Sequence, residues 1–343
     1  MQVEQGGRAQ QMKVYRVVQF GLGPIGQELA RLAAQRESYE LVGAVDIDPG
    51  KVGRDVGEVI GLGRALGVTV RSDAERLLAE TKPDCVLHST GSYLRQVWPQ
   101  LELIIRSGCN IVSTCEELSF PAAQHPDLAR ELDRLAREHE VTVLGTGVNP
   151  GYVMDALPLF FSGVAQAVTA VRVQRVQNAS TRRRPLQAKI GSGKTVEEFR
   201  ELVAAGTVRH VGLQESVYLI AAGLDWELDG YRESTEPIIA ERRITTQYFT
   251  VEPGYVCGVE QLGRGYVGGE EKITLHLRMY LDADPAYDKI LLEGPTPLEL
   301  VIPGGLQGDR ATTAIALNAV PRVVEHSPGL VTMKDLPIVT TRA

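Results

Sequence analysis

Gly21-Leu-Gly-Pro-Ile-Gly is a Gly-x-Gly-x-x-Gly run, set between the apolar stretch Val17-Val18-Gln19-Phe20 and the helix-forming residues Gln27 to Gln35. In a strand–turn–helix unit, Gly21 permits the tight turn and Gly23 lets backbone approach a pyrophosphate. Gly26 lets helix and strand pack closely. The helix start, with Pro24 and Ile25, offers unpaired N–H groups and a positive dipole end to phosphate. A second strand, Tyr39 to Ile47, carries Asp46, twenty residues past Gly26. That is where a carboxylate hydrogen-bonds the ribose of NAD. Alone, Asp46 reads equally as a solvated turn carboxylate. It would repel a 2′-phosphate, so the pattern favours NAD, while Lys51 or Arg54 leaves NADP open.

Further candidates stand at expected strand ends, where open α/β sheets bind ligands. His88, Ser89, Thr90 and Gly91 close one apolar run, and Ser113-Thr114-Cys115-Glu116-Glu117 closes another. The cofactor set therefore extends to Ser89, Thr90, Gly91, Thr114 and Cys115. His88, inside a strand, reads also as a satisfied core imidazole. A thiol nucleophile at Cys115 is opposed by two adjacent carboxylates, which raise its pKa. The competing reading makes a carboxylate the working group, binding an ammonium or iminium and moving protons. A helix-N-terminal acid paired with the dipole accounts for at least one of the two.

From Ala156 to Val196 there is no acid, whereas Arg172, Arg175, Arg182, Arg183, Arg184, Lys189 and Lys194 all fall there. This stripe suits a substrate carboxylate, cofactor phosphates or a partner subunit. It suits equally a solvated strand face. Strand alternation puts Arg175 and Gln177 on one side, with Arg172, Gln174 and Val176 on the other. His210, after a turn, reads as a pocket acid or hydrogen-bond donor. The segment Ala188 to Thr195 imitates a triphosphate loop, but alanine replaces its first glycine, and that site is rejected. No His, Cys, Asp and Glu spacing suggests a metal.

The elements that must hold these groups alternate. Strands are expected at 68–71, 84–91, 109–114 and 141–147, and helices at 73–80, 93–107 and 128–140. Together with the first two strands this is a Rossmann-type, doubly wound parallel sheet over residues 13–148. From Ala170 onward the strands lengthen and alternate, at 171–177, 244–251 and 272–280, with helices at 197–204 and 214–222. Residues 149–305 thus read as a second α+β domain with a mainly antiparallel sheet. A helical tail, 309–326, packs back, so 306–343 is expected to complete the first domain. Residues 1–12 read as a flexible leader.

The chain has 343 residues, 43% hydrophobic and 23% charged, with net charge −7. The acidic balance argues against nucleic-acid binding, and no apolar run is long enough for a membrane span. Cys85, Cys109, Cys115 and Cys257 lack Cys-x-x-Cys spacing and read as reduced, buried thiols of a cytoplasmic protein.

Several segments together resemble the family of 2,4-diaminopentanoate dehydrogenase and the native amine dehydrogenases, relatives of dihydrodipicolinate reductase. They are the glycine run, Val45 to Asp55, Ser113 to Ser119, Gly147 to Asp155, His210 to Ser216 and Gly304 to Thr313, with Asn318. The reductase's own His-His and Asp-Ala-Pro-Ser-Gly-Thr signature is absent, and Glu116 stands where homoserine dehydrogenases carry Lys. The resemblance implies an NAD(P)-dependent amine dehydrogenase that interconverts an amine with a ketone or aldehyde and ammonia through an iminium. It assigns Glu116 as the catalytic carboxylate, with Glu117 as fallback. It implies a pocket of Asn149, Tyr152, Met154, Arg175, Gln177, His210 and Thr312, and a homodimer. A diamino-acid dehydrogenase acting on 2,4-diaminopentanoate is the alternative within the class. A non-catalytic dinucleotide-binding sensor is the alternative outside it.

Overall fold

The computed structural model describes residues 13–341, so the expected leader and the last two residues of the chain lie outside the described part. Strands of the first half form where apolar residues run on without alternation, as strands buried on both faces require. They are β1 (Tyr15–Phe20), β2 (Tyr39–Val45), β3 (Val70–Arg71), β4 (Cys85–His88), β5 (Asn110–Ser113) and β6 (Thr142–Gly145). Between them lie α1 (Pro24–Ala34), α2 (Val56–Val59), α3 (Ala74–Thr81), α4 (Leu94–Arg106) and α5 (Pro126–Glu138). Helix α1 begins inside the glycine motif, three residues ahead of its expected start. Pro24 sits at its first position, where a missing N–H costs nothing and φ is already helical.

The second half runs through α6 (Ala156–Ser162), β7 (Ala170–Asn178), α7 (Arg184–Lys189), α8 (Val196–Ala204) and α9 (Leu213–Gly223). Strands β8 (Gly230–Ile239), β9 (Ile244–Thr245), β10 (Thr250–Val251), β11 (Val256–Val267), β12 (Glu270–Tyr280), β13 (Tyr287–Glu293) and β14 (Leu298–Pro303) follow. The described chain then closes with α10 (Gly308–Val324) and β15 (Gly329–Val331).

The first sheet has the order β15-β6-β5-β4-β1-β2-β3, every pair parallel. The second has the order β14-β13-β7-β12-β11-β8, antiparallel except for β7 beside β12. The single strand expected over 244–251 is instead the hairpin β9–β10. The Thr246 hydroxyl accepts the N–H groups of Tyr248 and Phe249 and turns the chain there. Helices cover both faces of the first sheet. Leu29 and Ala33 of α1 meet Leu317 and Val320 of α10 on one face, while Leu101, Ile104 and Leu132 fill the other. Each fully buried leucine contributes about 1.5–3 kcal/mol. On the second sheet, Leu213, Val217 and Ile220 of α9 pack on Leu275, Leu277 and Ile290. Among the described residues no helix is long and apolar enough to cross a membrane.

Candidate active site

Two glycines make the turn between β1 and α1. Gly21 has φ +91°, and a Cβ on Gly26 would stand 1.9 Å from the Gly21 carbonyl oxygen. A Cβ on Gly23 would meet nothing within 4 Å, so the backbone there opens onto free space. No side chain caps α1, which leaves its first-turn N–H groups for an anion. The turn is tied to its neighbour through Ser89, whose hydroxyl accepts from Gln19 at 2.8 Å and donates to the Gly21 carbonyl at 3.2 Å. These are features of a pyrophosphate cradle, and the residues present fit a dinucleotide.

Asp46 follows β2. Its carboxylate accepts the Leu22 N–H at 2.7 Å and the Asp48 N–H at 2.9 Å, with the Lys51 ammonium 3.4 Å away. Burial opposes the charge, yet these hydrogen bonds and Lys51 hold the carboxyl below its ordinary range. Asp46 therefore stays ionised beside the turn.

A cleft of about 430 Å³ runs from the glycine turn to the second sheet. Gly23, Pro24, Ile25, Ser89, Thr90, Gly91 and Thr114 line it from the first sheet, as does Glu116. Asn149, Arg175, Gln177, His210 and Thr312 line it from the other side. Gly21 and Gly26, which shape the turn, are not among its lining residues. Asp46 is not among the lining residues either, and three further expected residues, Cys115, Met154 and Tyr152, are turned elsewhere. Cys115 is buried, its N–H donating to the Ser113 hydroxyl at 3.1 Å. Burial and the neighbouring Glu116 push its thiol far up, which removes it as a nucleophile. Met154 is fully buried among Val148, Val173 and Leu213. Tyr152 faces a separate cavity with Phe160, Met333 and Ile338.

The two neighbouring glutamates part company here. They open a 3₁₀ turn, Glu116–Ser119, behind β5. Glu116 enters the cleft, held by the Ser92 hydroxyl. Burial raises its carboxyl above the ordinary value, against its own N–H, Ser92 and the charge of Lys189. Glu117 turns away. Its Oε2 accepts the Leu94 N–H at 2.7 Å, at the start of α4, and faces His125 Nε2 at 3.0 Å.

Arg175 and His210 also differ from free pocket groups. The Arg175 guanidinium donates to both Asp288 oxygens at 2.7 Å and to the Leu306 carbonyl at 2.8 Å. It is neutralised and cannot serve a substrate carboxylate without losing that pair. His210 Nε2 donates to the Asn149 carbonyl at 3.0 Å. Burial and Lys189 push its pKa down to about 4, so it enters the site neutral. His88 is a core imidazole, between the Ser113 hydroxyl at 2.7 Å and Gln100 Oε1 at 2.9 Å. Pushed by burial to about 4, it too is neutral.

The cleft also contains residues that the sequence reading had not selected. Ser92 follows the small residues already chosen, and Leu277 and Met279 lie at alternate positions of a strand already expected. Both signals were legible. Asp309, which pairs with Arg182 at 2.8 Å, had no local signal. Among the described residues no group of three or more His, Cys, Asp or Glu is placed to hold a metal.

Comparison with known proteins agrees with this architecture. Residues 152–342 match the profile of the 2,4-diaminopentanoate dehydrogenase C-terminal domain, and residues 15–115 match that of the dihydrodipicolinate reductase N-terminus. The chain is 32% identical to 2,4-diaminopentanoate dehydrogenase of Acetoanaerobium sticklandii, over 95% of this chain and 94% of that one. It is 24% identical to an amine dehydrogenase of Streptomyces virginiae, over 94% and 96%. The solved amine dehydrogenase of Mycobacterium smegmatis superposes with a TM-score of 0.84 at 27% identity, over 96% of this chain and 97% of that one. With both domains matched and the likeness running nearly end to end, the chain belongs to the 2,4-diaminopentanoate dehydrogenase family.

Proposed function

We propose that this chain, a dehydrogenase acting on amines like its family, uses Glu116 as its working carboxylate. It converts an amine, oxidised NAD(P) and water into a carbonyl compound, ammonia and reduced NAD(P). When bound, the nicotinamide cofactor supplies the acceptor for the hydride. Gly23, Ile25 and the α1 N-terminus hold the phosphates, and Thr90, Gly91 and Thr114 line the path toward Glu116. NAD is the preferred form, because Asp46 stays ionised where a 2′-phosphate would lie. Comparing KM for NAD and NADP checks that preference.

One observation carries the reading: a half-buried carboxylate with a raised pKa, opening onto the same cleft as the glycine turn. Such a group takes the proton of a substrate ammonium more readily than a solvated carboxylate does. Ionised and poorly hydrated, it then favours a cationic iminium over a neutral imine. The Ser92 hydroxyl keeps it oriented, and neutral His210 adds no competing positive charge. In the same reading the protein works as a cytoplasmic homodimer. The buried, unpaired thiols support the compartment, and the outward residues Arg172, His276 and Arg278 of the second sheet offer a pairing surface.

The test follows reduced cofactor while ketones and aldehydes are offered with and without ammonia. Ammonia-dependent oxidation of NADH or NADPH is expected for at least one carbonyl compound. Its absence across both cofactors and a broad panel would sink the reading.

A further inference from the structure

Strand β11 alternates, with Val259, Gln261 and Gly263 turned inward, yet the middle position carries an amide where burial favours an apolar side chain. Gln261 is fully buried. Across the sheet it stands beside Leu277 of β12, which stands beside Arg175 of β7, so it shares the side that faces the cleft. Both ends of its amide are spent on one residue. Oε1 accepts the His210 N–H at 2.8 Å, while Nε2 donates to the His210 carbonyl at 2.9 Å and to Glu233 Oε1 at 2.7 Å. His210 lies between α8 and α9 in a stretch without helix or strand, so its peptide groups have no ladder to join. Two residues on, Gly212 has φ +115°, and a Cβ there would stand 2.3 Å from Pro150 Cδ. The stretch thus presses on Asn149-Pro150, where the Asn149 carbonyl accepts from His210 Nε2 at 3.0 Å.

We infer that Gln261 is a positioning residue for the reaction: it clamps the His210 peptide and so fixes where the imidazole and Asn149 stand in the cleft, across from Glu116. Gln261 is not itself among the residues that line the cleft, so its effect on a substrate passes through His210. A shift of that peptide by about 1 Å draws Nε2 off the Asn149 carbonyl, and misplacement of that size costs about a hundredfold when it reaches the reacting groups. The clamp is itself anchored. Glu233, exposed on the edge strand β8, accepts from Gln261 with one oxygen and from the Tyr231 hydroxyl with the other. One buried amide thus ties the far wall of the cleft to the outer edge of the second sheet. This role rests on the proposed function, in which Glu116 still does the chemistry.

Gln261→Met keeps the length of the side chain and removes all three hydrogen bonds. With 2,4-diaminopentanoate and NAD, kcat/KM for the amine is expected to fall about ten- to a hundredfold, while NAD affinity by calorimetry changes less than about threefold. In a His210→Ala background the same substitution is expected to cost less than about threefold, because its route to the cleft is gone. Equal costs in both backgrounds overturn the role, as does a matching loss of NAD affinity or a Gln261→Met enzyme within about threefold of the parent. The His210 Nε2 proton, followed by NMR, gives a second readout that needs no turnover and decides the matter where His210→Ala is inactive. In Gln261→Met its exchange with water is expected to quicken at least about tenfold, with the amides of β5 unchanged. An unchanged rate, or one that quickens along with β5, overturns the role. Where Gln261→Met fails to fold, Glu233→Ala takes its place by removing the anchor behind the amide. Exchange about threefold faster is then expected, and an unchanged rate again overturns the role. A parent protein that oxidises no amine brings down the proposed function by itself, and the Nε2 proton still decides the role of Gln261.

Discussion

Glu116 and Glu117 are consecutive, yet the 3₁₀ turn sends one carboxylate into the cleft and the other to the N–H of Leu94. The pair therefore separates chemistry from support. Glu116→Gln keeps the shape of the side chain and its Ser92 partner but cannot accept a proton. Activity is expected to fall about 10²- to 10⁴-fold, with dinucleotide affinity measured by calorimetry changed little. Glu117→Ala leaves the Leu94 N–H and His125 without their partner in a buried place. The expected cost is about 1–3 kcal/mol of stability, read from the urea midpoint, with a smaller effect on kcat. The reverse ranking of the two variants would exchange their roles. Sequence alone could not divide them, because neighbouring residues diverge or converge according to the turn that carries them.

The turn between β1 and α1 shows what an element demands of a single position. A methyl group on Gly26 would overlap the Gly21 carbonyl, which is backbone and cannot swing aside. Gly26→Ala is therefore expected to open the turn and abolish dinucleotide binding by calorimetry, while far-UV circular dichroism shows the sheets intact. Near-normal affinity would mean that the glycine turn does not hold the cofactor. The first sheet was legible because buried parallel strands advertise themselves as unbroken apolar runs between amphipathic helices. The second sheet was legible as alternation, and Leu277 and Met279 could be placed on one side of β12 that way. The hairpin β9–β10 was hidden, because Ile244 to Val251 alternates like one strand and only the Thr246 hydroxyl bends it. The fate of Arg175 was hidden for a different reason. Alternation gives its face of β7, but Asp288 is contributed by β13, 113 positions further on.

At the scale of the whole molecule, α9 of the second sheet presses on the segment that follows Glu116. Gln124 donates to Glu215 Oε1 at 2.5 Å, and the other oxygen of Glu215 is buried without a hydrogen bond. Burial pushes this carboxyl up to about 7, against the Gln124 hydrogen bond, with Glu117 raising it further and Arg209 lowering it. The folded protein thus keeps a proton that an unfolded chain releases near 4.5. Between those values the unfolded state binds fewer protons, so stability falls as pH rises from about 4.5 to about 7. Glu215→Gln cannot ionise and still accepts from Gln124. The variant is expected to gain roughly 1–3 kcal/mol over the parent at pH 8 compared with pH 5, measured by urea unfolding. An equal difference at both pH values would show that the carboxyl is not the source.

The strand β15 lies beside β6 in the first sheet, although the whole second sheet is encoded between them. Translation runs in one direction, so the ribosome finishes β14 before it makes α10, the helix that covers Leu29 and Ala33. A nascent chain at that stage holds all the strands of the second sheet and a first sheet on which α1 still lacks its neighbour α10. Domains ordinarily fold as units while they are made, the amino-terminal one first. Here the amino-terminal domain is the last to close, and the growing polypeptide cannot complete its nucleotide-binding half until its final helix and strand have emerged.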